Sequence, residues 1–187
     1  LSAQQKKILE QWIKEGAKYQ EHWYFVAPKK KSSPKVQKTN WVRNPIDSFV
    51  LAKMEGNKIS PNPEADKPTL IKRLYADLIG LPPSPEEENA FVYDHSADAY
   101  EKVVDHLLAS PHYGERMALE WLDAARYADS NGFQQDGDTY QWIWRDWVVK
   151  ALNQDMPFDQ FTIWQLAGDL LPDATTDQKI ASGFNRN

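Results

Sequence analysis

The sequence predicts an all-α fold, an irregular multi-helix domain of about seven to eight helices joined by long loops. Three observations lead there. Apolar residues recur at three- and four-residue spacing through most of the chain, and capping residues stand in front of those runs. No stretch alternates polar and apolar side chains as a half-buried strand would.

The 187 residues suffice for one full-sized domain with an appended element. A hydrophobic content of 41% is modest, but 8 Trp, 7 Phe and 8 Tyr bury large areas each, so a core is within reach. No apolar run approaches the roughly 20 residues needed to span a bilayer. Leu1 opens no signal-peptide pattern, as expected of a chain that starts inside a longer protein. The absence of cysteine excludes disulfides, thiolate metal sites, thiol nucleophiles and covalent haem attachment by this chain itself.

The net charge of −5 is unevenly spread. Residues 1–120 carry 17 basic and 17 acidic side chains, whereas residues 121–187 carry ten Asp, no Glu and five Lys or Arg. From Lys29 to Arg43 there are six positive residues and no negative one. That balance argues against nucleic acid as a partner, and the basic segment reads as a solvated linker.

The elements follow in order. Ser2 and Gln5 form a capping box ahead of Ile8, Leu9, Trp12 and Ile13, and Gly16 ends that helix. Residues 28–44, rich in Pro, Ser and Lys, have no helical period. Asn44-Pro45 opens a helix carrying Ile46, Phe49, Val50 and Met54 to Gly56. Pro68 opens another with Leu70, Ile71, Leu74, Tyr75 and Leu78, closed by Gly80. Ser84, Pro85 and Glu87 make a second capping box. Ser96 is expected to start the helix of Tyr100, Val103, Val104, Leu107 and Leu108. Ser110-Pro111 starts one running to about Tyr127. After a loop from Asp129 to Asp138, helices are expected from about Thr139 to Asn153, from Pro157, and near residues 176–182.

Chemistry concentrates after Pro111. Tyr113, Met117, Trp121 and Ala125 recur every four residues and are expected to face the core. His112, Glu115 or Arg116, Leu119, Asp123 and Arg126 form the polar stripe beside them. A partly buried His112 near a carboxylate and a guanidinium is an acid–base candidate; the same charges also serve as ion pairs tying helices together. Asp129, Asn131, Asp136 and Asp138 offer oxygen ligands of the kind calcium takes, with Gly132 and Gly137 permitting tight turns. The spacing departs from a helix–loop–helix calcium site, and turn-forming Asx chemistry accounts for the same residues. Arg145 and Asp146 lie among Trp142, Trp144 and Trp147 and are candidates for a buried network with the Asp129 loop. The catalytic candidates are thus His112, Asp123, Arg126, Asp129, Arg145 and Asp146. His22, in the aromatic run 22–25, is the candidate cofactor-binding histidine. The four histidines show no paired metal spacing, and phosphate-loop, nucleophile-elbow and zinc-protease motifs are absent.

Long phrases of the chain then carry a family resemblance: HWYF (22–25), RNPIDSFVLAKME (43–55), LIKRLYADLIGLPPSPEE (70–87), AYEKVVDHLLASPHYGERMALEWLDAARYADSNGF (99–133), RDWVVKALNQDMPFDQF (145–161) and QLAGDLLPDATTDQKIASGFNRN (165–187). In that order they resemble the second planctomycete cytochrome c-like domain, a domain of unknown function. Met117 stands where the family usually has an aromatic residue. The resemblance implies a last helix of a preceding c-type cytochrome domain over 1–20, a linker over 21–44 and the helical domain over 45–187, cut short at its C-terminal side. It implies haem c in the parent protein, attached through a CxxCH sequence beyond Asn187. It also implies an exported, periplasmic or cell-surface location, with neighbouring cytochrome c and planctomycete-type domains of the same polypeptide as partners. The expected role is a module scaffolding haem-linked electron transfer. A structural docking domain and a polysaccharide-binding or polysaccharide-processing module are the alternatives.

Overall fold

A computed structural model describes residues 1–131 and 136–186. Gly132, assigned a turn above, lies outside the described residues. Among those residues all regular structure is helical, as the periodicity predicts, and pairing outside helices is limited to an isolated bridge between Ser130 and Asp138. The chain forms two compact units, Leu1–Pro63 and Glu64–Asn187.

In the first unit, α1 (Ala3–Lys14) starts on the Ser2–Gln5 capping box and buries none of its side chains. A 3-10 turn, Trp23–Phe25, is capped by His22, whose Nδ1 accepts from the Tyr24 backbone N–H. In α2 (Pro45–Gly56), Asn44 accepts from the N–H groups of Ile46 and Asp47 while Asp47 answers from the first turn, and Ser48 and Leu51 are buried. Glu55 of α2 accepts from the backbone N–H groups of Gln37 and Lys38, which pins the end of the basic segment.

The second unit opens with α3 (Lys67–Leu78), α4 (Pro85–Tyr93) and α5 (Ala99–Leu108). They enclose Ile71, Tyr75, Phe91, Ala99 and Leu107. Lys67 Nζ donates to the carbonyls of Phe91, Val92 and Asp94, a cation on the open C-terminal carbonyls of α4. Gly80 takes φ +71 after α3, a left-handed position that suits glycine.

Then come α6 (Pro111–Ala124), α7 (Trp142–Asn153), α8 (Phe158–Ala167) and α9 (Thr176–Ala181). Their core holds Ala118, Trp144, Trp147, Val148, Ala151, Phe161 and Ala181. Buried Gln165 organises it. Its Oε1 accepts from Trp121 Nε1 at 2.9 Å and its Nε2 donates to the Phe161 carbonyl. Trp144 Nε1, by contrast, is buried with no hydrogen-bond partner among the described residues.

Four expectations shift. The Ser96 helix starts at Ala99, because Asp94 accepts from the Ser96 N–H and Lys102 donates to its hydroxyl, holding Ser96 in the preceding turn. The Pro111 helix ends at Ala124, not Tyr127, with Arg126 left-handed at φ +60. The Thr139 helix starts at Trp142, because Thr139 N–H is committed to the Asp129 carbonyl in the loop closure. Finally, the fully buried line of α6 is Gly114 and Ala118, with Tyr113, Met117, Trp121 and Ala125 only half-buried beside it. The register is set by α7: a Cβ on Gly114 would stand 2.5 Å from the Val149 carbonyl oxygen, so the smallest residues lie along the seam.

Candidate functional site

The α6–α7 pair is clasped at one end and open at the other. At the clasp, Gly114 N–H donates to Asn153 Oδ1 at 2.8 Å and Asn153 Nδ2 donates to the Pro111 carbonyl at 3.0 Å. Further along, a cleft of about 500 Å³ is lined by Glu115, Ala118, Leu119 and Leu122 of α6 and by Arg145, Asp146 and Val149 of α7. Its floor is apolar and its rims are charged.

Each rim is locally paired. His112 Nδ1 lies 2.7 Å from Glu115 Oε2, one turn apart on α6, and both side chains are exposed. Arg145 donates through Nε and Nη2 to Asp146 Oδ1 at 3.0 and 2.8 Å. Its third contact, Nη1 to the Tyr127 hydroxyl at 3.4 Å, reaches back to the segment after α6. The Tyr127 hydroxyl in turn donates to Asp129 Oδ2 at 2.7 Å. Burial pushes the Tyr127 phenol up to about 12, the Asp129 carboxylate adds to the rise, and the Arg145 charge opposes it. The Asp146 hydrogen bond raises the Arg145 guanidinium further.

A network between Arg145, Asp146 and the Asp129 loop exists but is largely exposed where a buried one was expected, and Tyr127 is the joint that the sequence reading missed. A phenol two residues before an aspartate, just past a helix end, was the available signal. His112 sits on the cleft through Glu115 but is exposed, not partly buried. Asp123 and Arg126 are exposed, do not line the cleft and make no side-chain hydrogen bond or ion pair among the described residues. Their backbones finish α6: the Asp123 carbonyl accepts from the Arg126 N–H, after the Ala125 N–H has closed on the Trp121 carbonyl. Of the six catalytic candidates, the structure gathers Asp129, Arg145 and Asp146 through Tyr127, puts His112 near the same cleft, and leaves two aside.

The loop of Asp129, Asn131, Asp136 and Asp138 closes by backbone bonds from Thr139 to Asp129 and from Asn131 to Gly137. Among the described residues no group of three or more His, Asp or Glu is disposed to hold a metal ion. A covalently bound haem does not fit this chain either. There is no cysteine to attach it, while the side-chain hydrogen bonds of His22 and His112 are made by Nδ1 and do not involve Nε2, the usual iron ligand.

A continuous row of rings runs through the α6–α9 core. Tyr127 meets Trp144 at 6.2 Å between centroids, Trp144 meets Phe184 at 6.0 Å, and Phe184 stacks on Trp121 at 6.1 Å. Trp121 meets Phe161 at 5.3 Å, Phe161 stacks on Trp147 at 5.4 Å, and Trp147 meets Trp164 at 6.5 Å. Trp164 borders a second hollow of about 290 Å³, with Gln154, Gln160 and the Lys150–Asp177 ion pair on its rim.

Neither a curated protein nor a solved structure matches the chain. A family model does, over residues 45–187: PSCyt2, a protein of unknown function (DUF1549). The all-helical body with its aromatic core accordingly belongs to that planctomycete cytochrome c-like family of unknown function.

Proposed function

We propose that the domain is a scaffold for haem-linked electron transfer within a larger exported, cytochrome-associated protein. Other segments of that polypeptide would hold haem c, residues 1–20 would complete a preceding cytochrome domain, and residues 21–44 would link the two. The observation that carries this reading is the row of seven rings from Tyr127 to Trp164, with neighbouring centroids between 5.3 and 6.5 Å. A close-packed interior gives electron tunnelling few gaps to cross. Edge and offset contacts also fix the ring positions more firmly than aliphatic packing would. The row acts as a medium, so none of its members has to be oxidised.

The test uses the haem-bearing parent protein and compares the intramolecular electron-transfer rate, after flash reduction, in the wild type and in Trp164→Leu. Trp164 ends the row and is only partly buried, so its replacement by another apolar side chain disturbs the fold less than a change at buried Trp144 or Trp147 would. Slower transfer with an unchanged haem spectrum and an unchanged helical circular-dichroism spectrum is the expected result. An unaltered rate in Trp164→Leu and in Phe184→Leu would overturn the reading.

A second reading, polysaccharide binding, draws on the hollow beside Trp164, where a ring, two carboxamides and an ion pair converge. Unretarded migration through gels containing charged and neutral polysaccharides would remove it.

A further inference from the structure

We infer that the segment from Trp23 to Arg43 is a peripheral attachment arm for an anionic lipid surface. Three neighbouring features support it. Trp23, Tyr24 and Phe25 are 77%, 72% and 73% exposed, although they are consecutive large aromatics in a short ordered turn. No acidic residue occurs between Glu21 and Asp47, while Lys29, Lys30, Lys31, Lys35, Lys38 and Arg43 do. The arm also has a fixed root, because Glu55 of α2 holds the backbone of Gln37 and Lys38, and Lys38 Nζ donates to Ser60.

The ring geometry selects the partner among polyanions. Trp23 and Tyr24 stand at 81° to each other and Tyr24 and Phe25 at 89°. Successive bases or sugar units need parallel faces to stack on, and mutually perpendicular rings offer none in sequence. A Trp–Tyr pair beside an apolar Phe instead suits the boundary between headgroups and acyl chains, where the amphipathic Trp and Tyr rings are enriched and Phe adds buried apolar area. The following lysines suit an anionic headgroup layer, where each added cation strengthens attachment. Lys29, Lys30, Lys31 and Lys35 are exposed, and none is in an ion pair among the described residues. Among the described residues no helix is long and apolar enough to cross a membrane, so attachment by this arm would be peripheral.

The experiment is co-sedimentation of the 187-residue chain with vesicles of phosphatidylcholine, with and without phosphatidylglycerol. The expected result is binding to the mixed vesicles at low ionic strength, release at high salt, and little binding to phosphatidylcholine alone. Replacing Lys29, Lys30 and Lys31 together by Gln should lower partitioning roughly 100-fold, taking three cations at the surface value each. Trp23→Ser with Phe25→Ser should lower it about tenfold or more by removing the inserted rings. All five side chains are exposed, and an unchanged helical circular-dichroism spectrum would verify folding. Absence of vesicle binding, or binding indifferent to both variants, would overturn the proposal. So would tighter retention on heparin or single-stranded oligonucleotide than on the vesicles, which would make the arm a polyanion site instead.

Discussion

Two regions of the second unit each set a tyrosine against a carboxylate, and the surroundings differ. In the α3–α5 cluster, Tyr75 is 3% exposed and faces Glu87, which is already engaged as the third residue of the Ser84 capping box. Burial raises the Tyr75 phenol to about 12, with the Glu87 hydrogen bond and charge adding to it. The Ser84 bonds hold the Glu87 carboxyl low. At the α6–α7 cleft, Tyr127 reaches the same value beside Asp129, but a guanidinium touches its oxygen and works against the shift. The first pair is tied into a helix start and borders a hollow of about 200 Å³ lined by both residues. The second is three-membered, with a guanidinium on the phenol that itself lines a cleft of about 500 Å³, so the difference between the two pairs is the added cation.

The largest expected effect that separates the regions is Trp144→Ala. Trp144 lies in the α6–α9 core and its ring packs against Tyr127, whereas Tyr75 belongs to the other cluster. Truncating a buried tryptophan costs about 3–5 kcal/mol, read from chemical denaturation. Phenol titration by ultraviolet difference spectra should then return Tyr127 toward its ordinary value of 10 while Tyr75 stays near 12. If both phenols moved together, the two regions would not be independent.

Next in size is alkaline destabilisation. A phenol whose pKa is raised on folding from 10 to about 12 stabilises the fold fully below pH 10 and loses that contribution as pH climbs to 12. For buried Tyr75 the two-unit shift corresponds to about 2–3 kcal/mol. Tyr127 should contribute less because it is more exposed. Urea midpoints measured from pH 9 upward should therefore fall steeply in the wild type and much less in Tyr75→Phe, with Tyr127→Phe in between. A wild-type slope preserved in Tyr75→Phe would reverse the assignment.

The contrast also marks how far the sequence could be read. Helix starts were legible where capping is local, since Ser2, Asn44, Ser84 and Ser110 accept the N–H bonds their types suggest. They were misplaced at Ser96 and Thr139, whose groups are engaged in the preceding turns. The Tyr75–Glu87 pair was half-legible, since the capping box named Glu87 but not the phenol packed on it. The α6 register was not legible. Tyr113, Met117 and Trp121 are larger and more apolar than Gly114 and Ala118, and only the approach of α7 makes small residues the seam. Tyr127 escaped for a related reason. Its bond to Asp129 is local, but its contact with Arg145 crosses eighteen positions and depends on how the loop closes.

The smallest effect, and the sharpest discriminator, is Arg145→Gln. Arg145 and Asp146 are both substantially exposed, so breaking their pair should change stability by no more than about 1 kcal/mol. The guanidinium nevertheless holds the Tyr127 pKa down, through its charge and its hydrogen bond. Without it, burial and Asp129 raise the phenol with less opposition, and Tyr127 should titrate above its wild-type midpoint. No guanidinium among the described residues is a cause of the Tyr75 shift, so its midpoint should not change. A rise confined to Tyr127, with nearly constant stability, is what an open three-membered network requires. A fall at Tyr127 would mean that the guanidinium supports the neutral phenol, and the three-membered network would then behave as the Tyr75–Glu87 pair does, with every partner raising the phenol.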